Sequence, residues 1–427
     1  MPLPDRLEIR PLSHVPRTSV RVPGSKSITN RALVLAALTG DCKLEGVLES
    51  EDTEVMVDCL ARLGFQVSAD WAKETVDVSK PARSGLIPAK AAELNVANSG
   101  TTMRFLTAMV ALGQGRYRLD GIARMRERPI ADLLAALTEA GVVARSESGN
   151  GCPPVIVEAN GLRGGTIRVK GDVSSQFLSG ILMAAPFAAA DTTIEVEGTL
   201  VSIPYVAMTT AMMRQFGLAV ETVGDHRAFR IPGKQQGGLA KYAIEPDASA
   251  ASYFLGAAAV TGGEIAVEGL SRDSLQGDVR FAEVLGQMGC GVSYEANRIV
   301  VRGGTLHGID VDMNDISDTV MTLGAVACFA NGPTTIRNVG HIRHKETDRL
   351  TALATELRRV GAEVQLHDDG LTIVPRPLHG AEIETYKDHR MAMSLALVGL
   401  RVPGVVLRDP GCVGKTYPKF FDDLARL

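Results

Sequence analysis

The chain has 427 residues, long enough for two large domains. A formal net charge of −4 with 22% charged residues excludes a surface that is basic throughout, so neither nucleic acid nor a membrane surface is expected as a partner. Only 4% of residues are aromatic and 44 are glycine, which favours many tight turns over an aromatic-rich binding face.

The first ten residues, MPLPDRLEIR, show no apolar signal core and no Arg/Ser-rich transit character, and no apolar run approaches the length of a membrane span. A cytoplasmic location is expected. The six cysteines Cys42, Cys59, Cys152, Cys290, Cys328 and Cys412 form no CxxC pair and have no histidine at ligand spacing. They read as free thiols of a reducing compartment, with no metal site.

In chain order, one pattern recurs six times. The segment at 25–40, SKSITNRALVLAALTG, starts on Ser25 and is apolar on nearly every face. A strand, a loop and an amphipathic segment follow in LEGVLESEDTEVMVDCLARLGFQV from Leu44. The second pair is NSGTTMRFLTAMVALGQG at 98–115 and LDGIARMRERPIADLLAALTEAGVVA from Leu119. The third is DVSSQFLSGILMAAPFAAAD at 172–191 and VEGTLVSIPYVAMTTAMMRQFGLAV from Val196. The fourth joins DASAASYFLGAAAVTGG at 247–263 to a segment from Val267, and the fifth joins ISDTVMTLGAVACFANG at 316–332 to one from Ile336. The sixth has KDHRMAMSLALVGLRVPG at 387–404 and LRDPGCVGKTYPKFFDDLARL from Leu407. The spacing is roughly 70 to 77 residues.

A helix that is apolar all round must be buried, and these are too short to span a bilayer. The first helix of each copy is therefore expected at the core and the second, charged on one face, outside. Each core helix opens with Ser, Asp or Asn, which suit an N-cap. Alternating stretches such as TIRVKG and NRIVVRGG read as strands. One copy is then βαβαββ, and six copies suggest an α/β protein of two domains with three repeats each. The Gly-rich QQGGLAKY at 235–242 marks the division.

The starts of the core helices carry residues that a core does not need: Lys26, Ser27 and Arg31; Asn98 and Gly100; Ser174, Ser175 and Gln176; Asp318; and Asp388, His389 and Arg390. Helix N-termini favour anions through unpaired N–H groups and the positive dipole end. Cations in the first turn oppose that dipole, so Lys26 and Arg31 suggest a phosphate or carboxylate cradle. The P-loop spacing is absent. A second polar set precedes the outer helices: Arg126, Glu127 and Arg128; Ser202 and Tyr205; Arg343, His344, Lys345, Glu346, Asp348 and Arg349; and Lys415, Thr416 and Tyr417. A carboxylate among cations, as Glu346 is, suits proton transfer, although an i,i+3 pair with Arg349 also accounts for it. His389 suits an orienting or relay role rather than a metal ligand.

PGSKSITNRA, NSGTTMRFL, RERPI, SSQFLSG, SIPY, PDASAASYFL, KETDR, DHRMAM and GKTYP occur in this order from residue 23 to residue 418. Together they resemble the signature segments of the 5-enolpyruvylshikimate-3-phosphate (EPSP) synthases. The resemblance implies two domains of three βαβαββ repeats with buried central helices, an inside-out α/β barrel. It implies domains at 23–240 and at 1–22 with 241–427, and an active site in the cleft between them. The N-terminal segment would return to the second domain.

The resemblance implies that shikimate 3-phosphate meets Lys26, Ser27, Arg31, Ser174, Ser175, Gln176, Ser202, Tyr205, Asp318 and Lys345. It places phosphoenolpyruvate against Lys26, Asn98, Gly100, Arg128, Gln176, Glu346, Arg349, His389, Arg390 and Lys415. Bidentate recognition of phosphate and carboxylate suits the three arginines. The implied reaction is addition followed by elimination, with Asp318 as base for the 5-hydroxyl and Glu346 handling the C3 proton, Lys26 assisting. No cofactor is implied, and a monomer is expected.

Three positions depart from the family pattern: Ala97 in place of Gly, Phe105 in place of Pro, and His341 in place of Asn. A related transferase acting on a UDP-sugar would carry a reactive Cys in the loop at 121–129, which here reads GIARMRERP. A non-catalytic anion-binding protein on the same scaffold would be expected to lack Asp318, Glu346 or Lys26, and all three are present.

Overall fold

The computed structural model describes residues 3–82 and 84–427. The chain packs as two units, Gly24–Ile244 and the segment up to Pro23 with Glu245–Leu427. The second crossing, after Ile244, comes four residues later than the expected domain end at residue 240. The reason is that strand Lys241–Ala243 pairs in parallel with Cys42–Glu45 and stays with the first unit.

Each four-stranded sheet repeats one order. In the second repeat Ala91–Asn95 and Gln114–Asp120 lie side by side in parallel, joined over the buried helix Gly100–Met109. The hairpin Val143–Ser146 and Val155–Asn160 then adds in antiparallel fashion, with the outer helix Ala131–Glu139 leading into it. Parallel neighbours need such a crossover, and the helix supplies it. The sheet built on Gly165–Lys170 and Thr192–Glu197, and the one built on Asp310–Asp312 and Thr334–Arg337, follow the same plan.

Two sheets take their first strand from a distant part of the chain within the same unit. Lys241–Ala243 completes the first repeat, and Arg17–Val20 lies parallel to Glu264–Glu268 in the fourth. The sixth sheet has three strands: Glu382–Ile383, Val405–Arg408 and, antiparallel to the latter, Arg6–Ile9. The N-terminal segment thus returns to the Glu245–Leu427 unit.

The helices at 26–39, 100–109 and 175–184 form the interior of one unit, and those at 248–261, 320–327 and 389–399 that of the other. Every residue from Ile28 to Leu38 is buried, as is every residue from Ala248 to Val260. Small residues permit this. A Cβ on Gly256 would come within 3.0 Å of Leu397 and Thr322 side-chain carbons on the neighbouring helices. Ser252, Thr322 and Ser394, one from each of these three helices, join by hydroxyl hydrogen bonds of 3.0 and 3.2 Å. Each fully buried Leu or Phe contributes roughly 1.5–3 kcal/mol.

Ser25, Ser99, Ser174, Asp247 and Asp388 each accept a backbone N–H at the start of their helix, as an N-cap does. The fifth core helix is a correction to the expected pattern. A 3-10 turn at Asn314–Thr319, broken at Ile316, precedes helix Val320–Ala327, whose N-cap position is Thr319, with no side-chain cap hydrogen bond. The Asp318 carboxylate accepts from side chains instead, Arg349 and Arg390. All six cysteines are free thiols, and burial pushes Cys328 up to about 12. Among the described residues, no helix is long and apolar enough to cross a membrane.

Candidate active site

In the Gly24–Ile244 unit, Lys26 opens the first buried helix and its ammonium lies 3.4 Å from Asp52 Oδ2. Asp52 sits in the first turn of the outer helix Glu51–Arg62. In the sequence it looks like ordinary complement to a helix dipole, so its burial against Lys26 was not legible.

Arg31 is one of the largest fully buried side chains. Its guanidinium donates to Thr209 Oγ1 at 2.7 Å, the Ser27 carbonyl at 2.9 Å, and Ser179 Oγ and the Tyr205 carbonyl at 3.3 Å. It lies 5.1 Å from the centre of the Phe105 ring, so the Phe that departs from the family pattern gives Arg31 a π-face. Burial pulls the guanidinium down to about 10, which leaves it charged at neutral pH. Thr209, Ser179 and Phe105 position Arg31, and sequence reasoning did not single out the first two.

Asn98 and Gly100 flank the capping Ser99. Ala97 before them holds a left-handed φ of +47°, with its amide donating to Asn95 Oδ1 at 2.9 Å. A non-Gly residue there is strained by roughly 1–2 kcal/mol. Arg128 donates to the Asn98 carbonyl at 3.3 Å, and Arg104 donates to the carbonyls of Gly100 at 3.2 Å and Pro129 at 3.1 Å. A Cβ on Gly100 would stand 2.5 Å from Arg128 Nη2 and 2.7 Å from Arg104 Nη1. The two arginines therefore close on a bare backbone.

Ser174 caps the third buried helix, and Gln176 reaches Thr101 Oγ1 at 3.3 Å, tying the second and third helix starts together. Ser202 adopts φ +54° immediately before helix Ile203–Gln215, the helix that carries Tyr205. Arg126 and Glu127 do not join this group. Arg126 pairs with Asp120 at 2.7 Å and Glu127 with Arg124 at 2.8 Å, both on the loop's exposed side.

In the Glu245–Leu427 unit, Arg349 is a hub. Its guanidinium, 1% exposed, donates to Asp388 Oδ2 at 2.8 Å, Glu346 Oε2 at 2.9 Å and Asp318 Oδ1 at 3.1 Å. The pair with Glu346 is thus one arm of a network, not an isolated i,i+3 contact. Burial alone would lower the Arg349 pKa, but the three carboxylates hold it above its ordinary value. Asp318 also receives Arg390 at 2.7 Å, and Glu346 receives Lys415 at 2.9 Å. Each of these two carboxylates is therefore held by two cations.

Arg390 further touches Ser249 Oγ and the Tyr253 hydroxyl, both at 3.4 Å. Ser249 donates to Asp278, whose carboxyl is pushed up to about 7 by burial first and by Asp318 second. Ser249, Tyr253 and Asp278 were invisible to sequence reasoning, because they look like ordinary residues of a core helix and a loop. His341 lies 3.0 Å from Ser317 Oγ, and burial, with Lys345 adding to it, pulls the imidazole down to about 4. His389 is buried, with Nδ1 3.8 Å from Asp388 Oδ1.

Three residues of the second polar set serve the scaffold. Arg343 pairs with Asp348 at 2.9 Å, Asp348 caps helix Arg349–Arg359, and the Tyr417 hydroxyl donates to Asp423 at 2.8 Å, whereas His344 is exposed. Thr416 is buried beside Lys415. Among the described residues, no group of three or more His, Cys, Asp or Glu could hold a metal ion.

Two units of βαβαββ repeats, with buried helices whose starts carry fixed guanidinium and ammonium groups, define an α/β enolpyruvyl-transferase fold. The solved enolpyruvyl transferase NikO from Streptomyces tendae shares this fold, with a TM-score of 0.76 at 20% identity over 98% of this chain and 96% of that one. The EPSP synthase of Acinetobacter baumannii superposes with a TM-score of 0.81 at 25% identity, covering 99% of this chain and 98% of its own. The chain is 50% identical over 419 residues to a 3-phosphoshikimate 1-carboxyvinyltransferase of Nostoc punctiforme, and 45% identical over 428 residues to one of Photobacterium profundum, covering at least 98% of every chain. The family model for EPSP synthase (3-phosphoshikimate 1-carboxyvinyltransferase) matches residues 14–424. The chain belongs to the EPSP synthase family.

Proposed function

We propose that the chain transfers the enolpyruvyl group of phosphoenolpyruvate to the 5-hydroxyl of shikimate 3-phosphate, giving 5-enolpyruvylshikimate 3-phosphate and phosphate, in the shikimate pathway to chorismate and aromatic amino acids. The observation that carries the mechanism is that Asp318 and Glu346 are each fixed by two cations, Arg349 with Arg390 and Arg349 with Lys415. Carboxylates set in this way are preorganised acceptors beside groups that bind phosphate and carboxylate.

In the first half, Asp318 takes the 5-hydroxyl proton as the oxygen attacks C2, and C3 gains a proton from the Lys26 ammonium. In the second half, phosphate leaves with the C2–O electron pair and the new methyl group gives a proton to the Glu346 carboxylate or back to the Lys26 amine. Arg128, Arg349, Arg390 and Lys415 hold phosphoenolpyruvate, with Asn98, Gly100, Gln176 and His389 beside it. Ser27, Arg31, Ser174, Ser175, Gln176, Ser202, Tyr205 and Lys345 hold shikimate 3-phosphate. The enzyme acts as a monomer in the cytoplasm.

Phosphate release from purified protein, with each substrate omitted in turn, tests the reading. Release that needs both substrates supports it. Folded protein that releases phosphate only with a UDP-sugar acceptor, or with none, overturns it.

A further inference from the structure

Tyr386 and Lys387 are consecutive non-glycine residues with φ of +55° and +54°. Left-handed backbone costs roughly 1–2 kcal/mol per residue, so this pair persists only where its surroundings hold it. The segment leads straight into Asp388 and Arg390.

What holds it is helix Arg349–Arg359. Glu356 on that helix is a carboxylate with 0% exposure. Its Oε1 accepts from the Tyr386 hydroxyl at 2.7 Å, and its Oε2 accepts from the Glu384 amide at 3.1 Å and lies 3.0 Å from the Arg359 guanidinium. A carboxylate buried this deeply is costly unless donors satisfy it, and these do. Burial pushes the Tyr386 phenol up to about 12, so it remains a donor at neutral pH. Seven residues earlier, on the same face of the helix, Arg349 grips Asp388. One helix therefore clamps both ends of residues 384–388. The Thr385 hydroxyl, donating to the Arg408 carbonyl at 2.8 Å, fixes the middle.

We propose that Glu356 and Tyr386 are positioning residues for the transfer reaction. They hold the 384–388 segment, with its left-handed Tyr386 and Lys387, so that Asp388 and Arg390 stand where phosphoenolpyruvate needs them. The proposal rests on the reading that Arg390 contacts that substrate.

The experiment compares Tyr386→Phe, Glu356→Gln, Arg390→Lys and the Tyr386→Phe/Arg390→Lys double variant, all shown folded by circular dichroism at the assay temperature. Tyr386→Phe carries the test alone if the buried Glu356→Gln protein does not fold. The expected result is a KM for phosphoenolpyruvate raised roughly tenfold in Tyr386→Phe and Glu356→Gln. The KM for shikimate 3-phosphate should stay within about twofold, and the Tyr386→Phe effect should vanish in the Arg390→Lys background. Unchanged kinetics in folded Tyr386→Phe, or an equal effect in both backgrounds, overturns the positioning role and leaves the Arg390 contact standing. An Arg390→Lys protein with unchanged phosphoenolpyruvate saturation overturns both.

Discussion

Lys415 donates from its ammonium to Oε1 of Glu346 at 2.9 Å, and both side chains are nearly out of reach of water. Glu346 thus meets the reaction as a fixed anion rather than a mobile surface group. Glu346→Gln keeps the shape and removes the proton acceptor. We expect kcat to fall by about 10²–10⁴-fold, the usual worth of a positioned acid–base group, with a smaller change in either KM. Steady-state phosphate release checks it, and a kcat within a few-fold of the parent would remove Glu346 from the proton transfers.

At Gly100 the backbone is bare because two guanidinium groups stand within 2.7 Å of where a Cβ would be. These are the far ends of flexible side chains, so Gly100→Ala folds but pushes Arg128 aside. We expect the KM for phosphoenolpyruvate to rise roughly tenfold, with shikimate 3-phosphate saturation little altered. Substrate titrations of the variant decide it.

Asp278 faces Ser249, Asp318, Arg390 and Asp247, and its carboxyl is raised from 3.8 to about 7. The folded state therefore holds this proton after the unfolded chain has lost it. The stability it confers is full below pH 3.8 and is lost as pH rises through about 7. Asp278→Asn mimics the protonated form and escapes that loss. Urea unfolding at about pH 5 and pH 8 should show the variant gaining on the parent as pH rises.

His341 behaves in the opposite sense. Its imidazole is lowered from 6.5 to about 4, so the unfolded chain binds the proton first and stability is lost as pH falls through this window. His341→Asn removes the group. Between about pH 8 and pH 5 the parent should lose on the order of 2 kcal/mol relative to the variant, read from the same urea curves.

The six core helices could be read from the sequence because a segment such as 248–261 is apolar on every face and can only be buried. The placing of Lys26 and Arg31 in one unit, and of Arg349 and Arg390 in the other, near helix starts could be anticipated for a similar reason, since charge there serves no core. Asp52, Ser249, Asp278 and Glu356 were not legible. Each acts on a partner in another element, such as Asp52 on Lys26, Ser249 on Asp278 or Glu356 on Tyr386. Local pattern carries no record of such pairings. The place of Lys241–Ala243 beside Cys42–Glu45 was hidden for the same reason, because strand order is a tertiary property.

The strands Arg6–Ile9 and Arg17–Val20 set an order on how the molecule can be made. A ribosome delivers Arg17–Val20 early, yet Arg17 waits for Glu264, and Arg6 waits for Arg408. Meanwhile the whole of Gly24–Ile244 emerges with every strand of its three sheets present. That unit can pair all its strands before residues 264–268 and 405–408 exist, and the strands at 6–9 and 17–20 can find partners only afterwards. Synthesis and closure therefore run in different orders: strands made before residue 24 wait for partners made after residue 263.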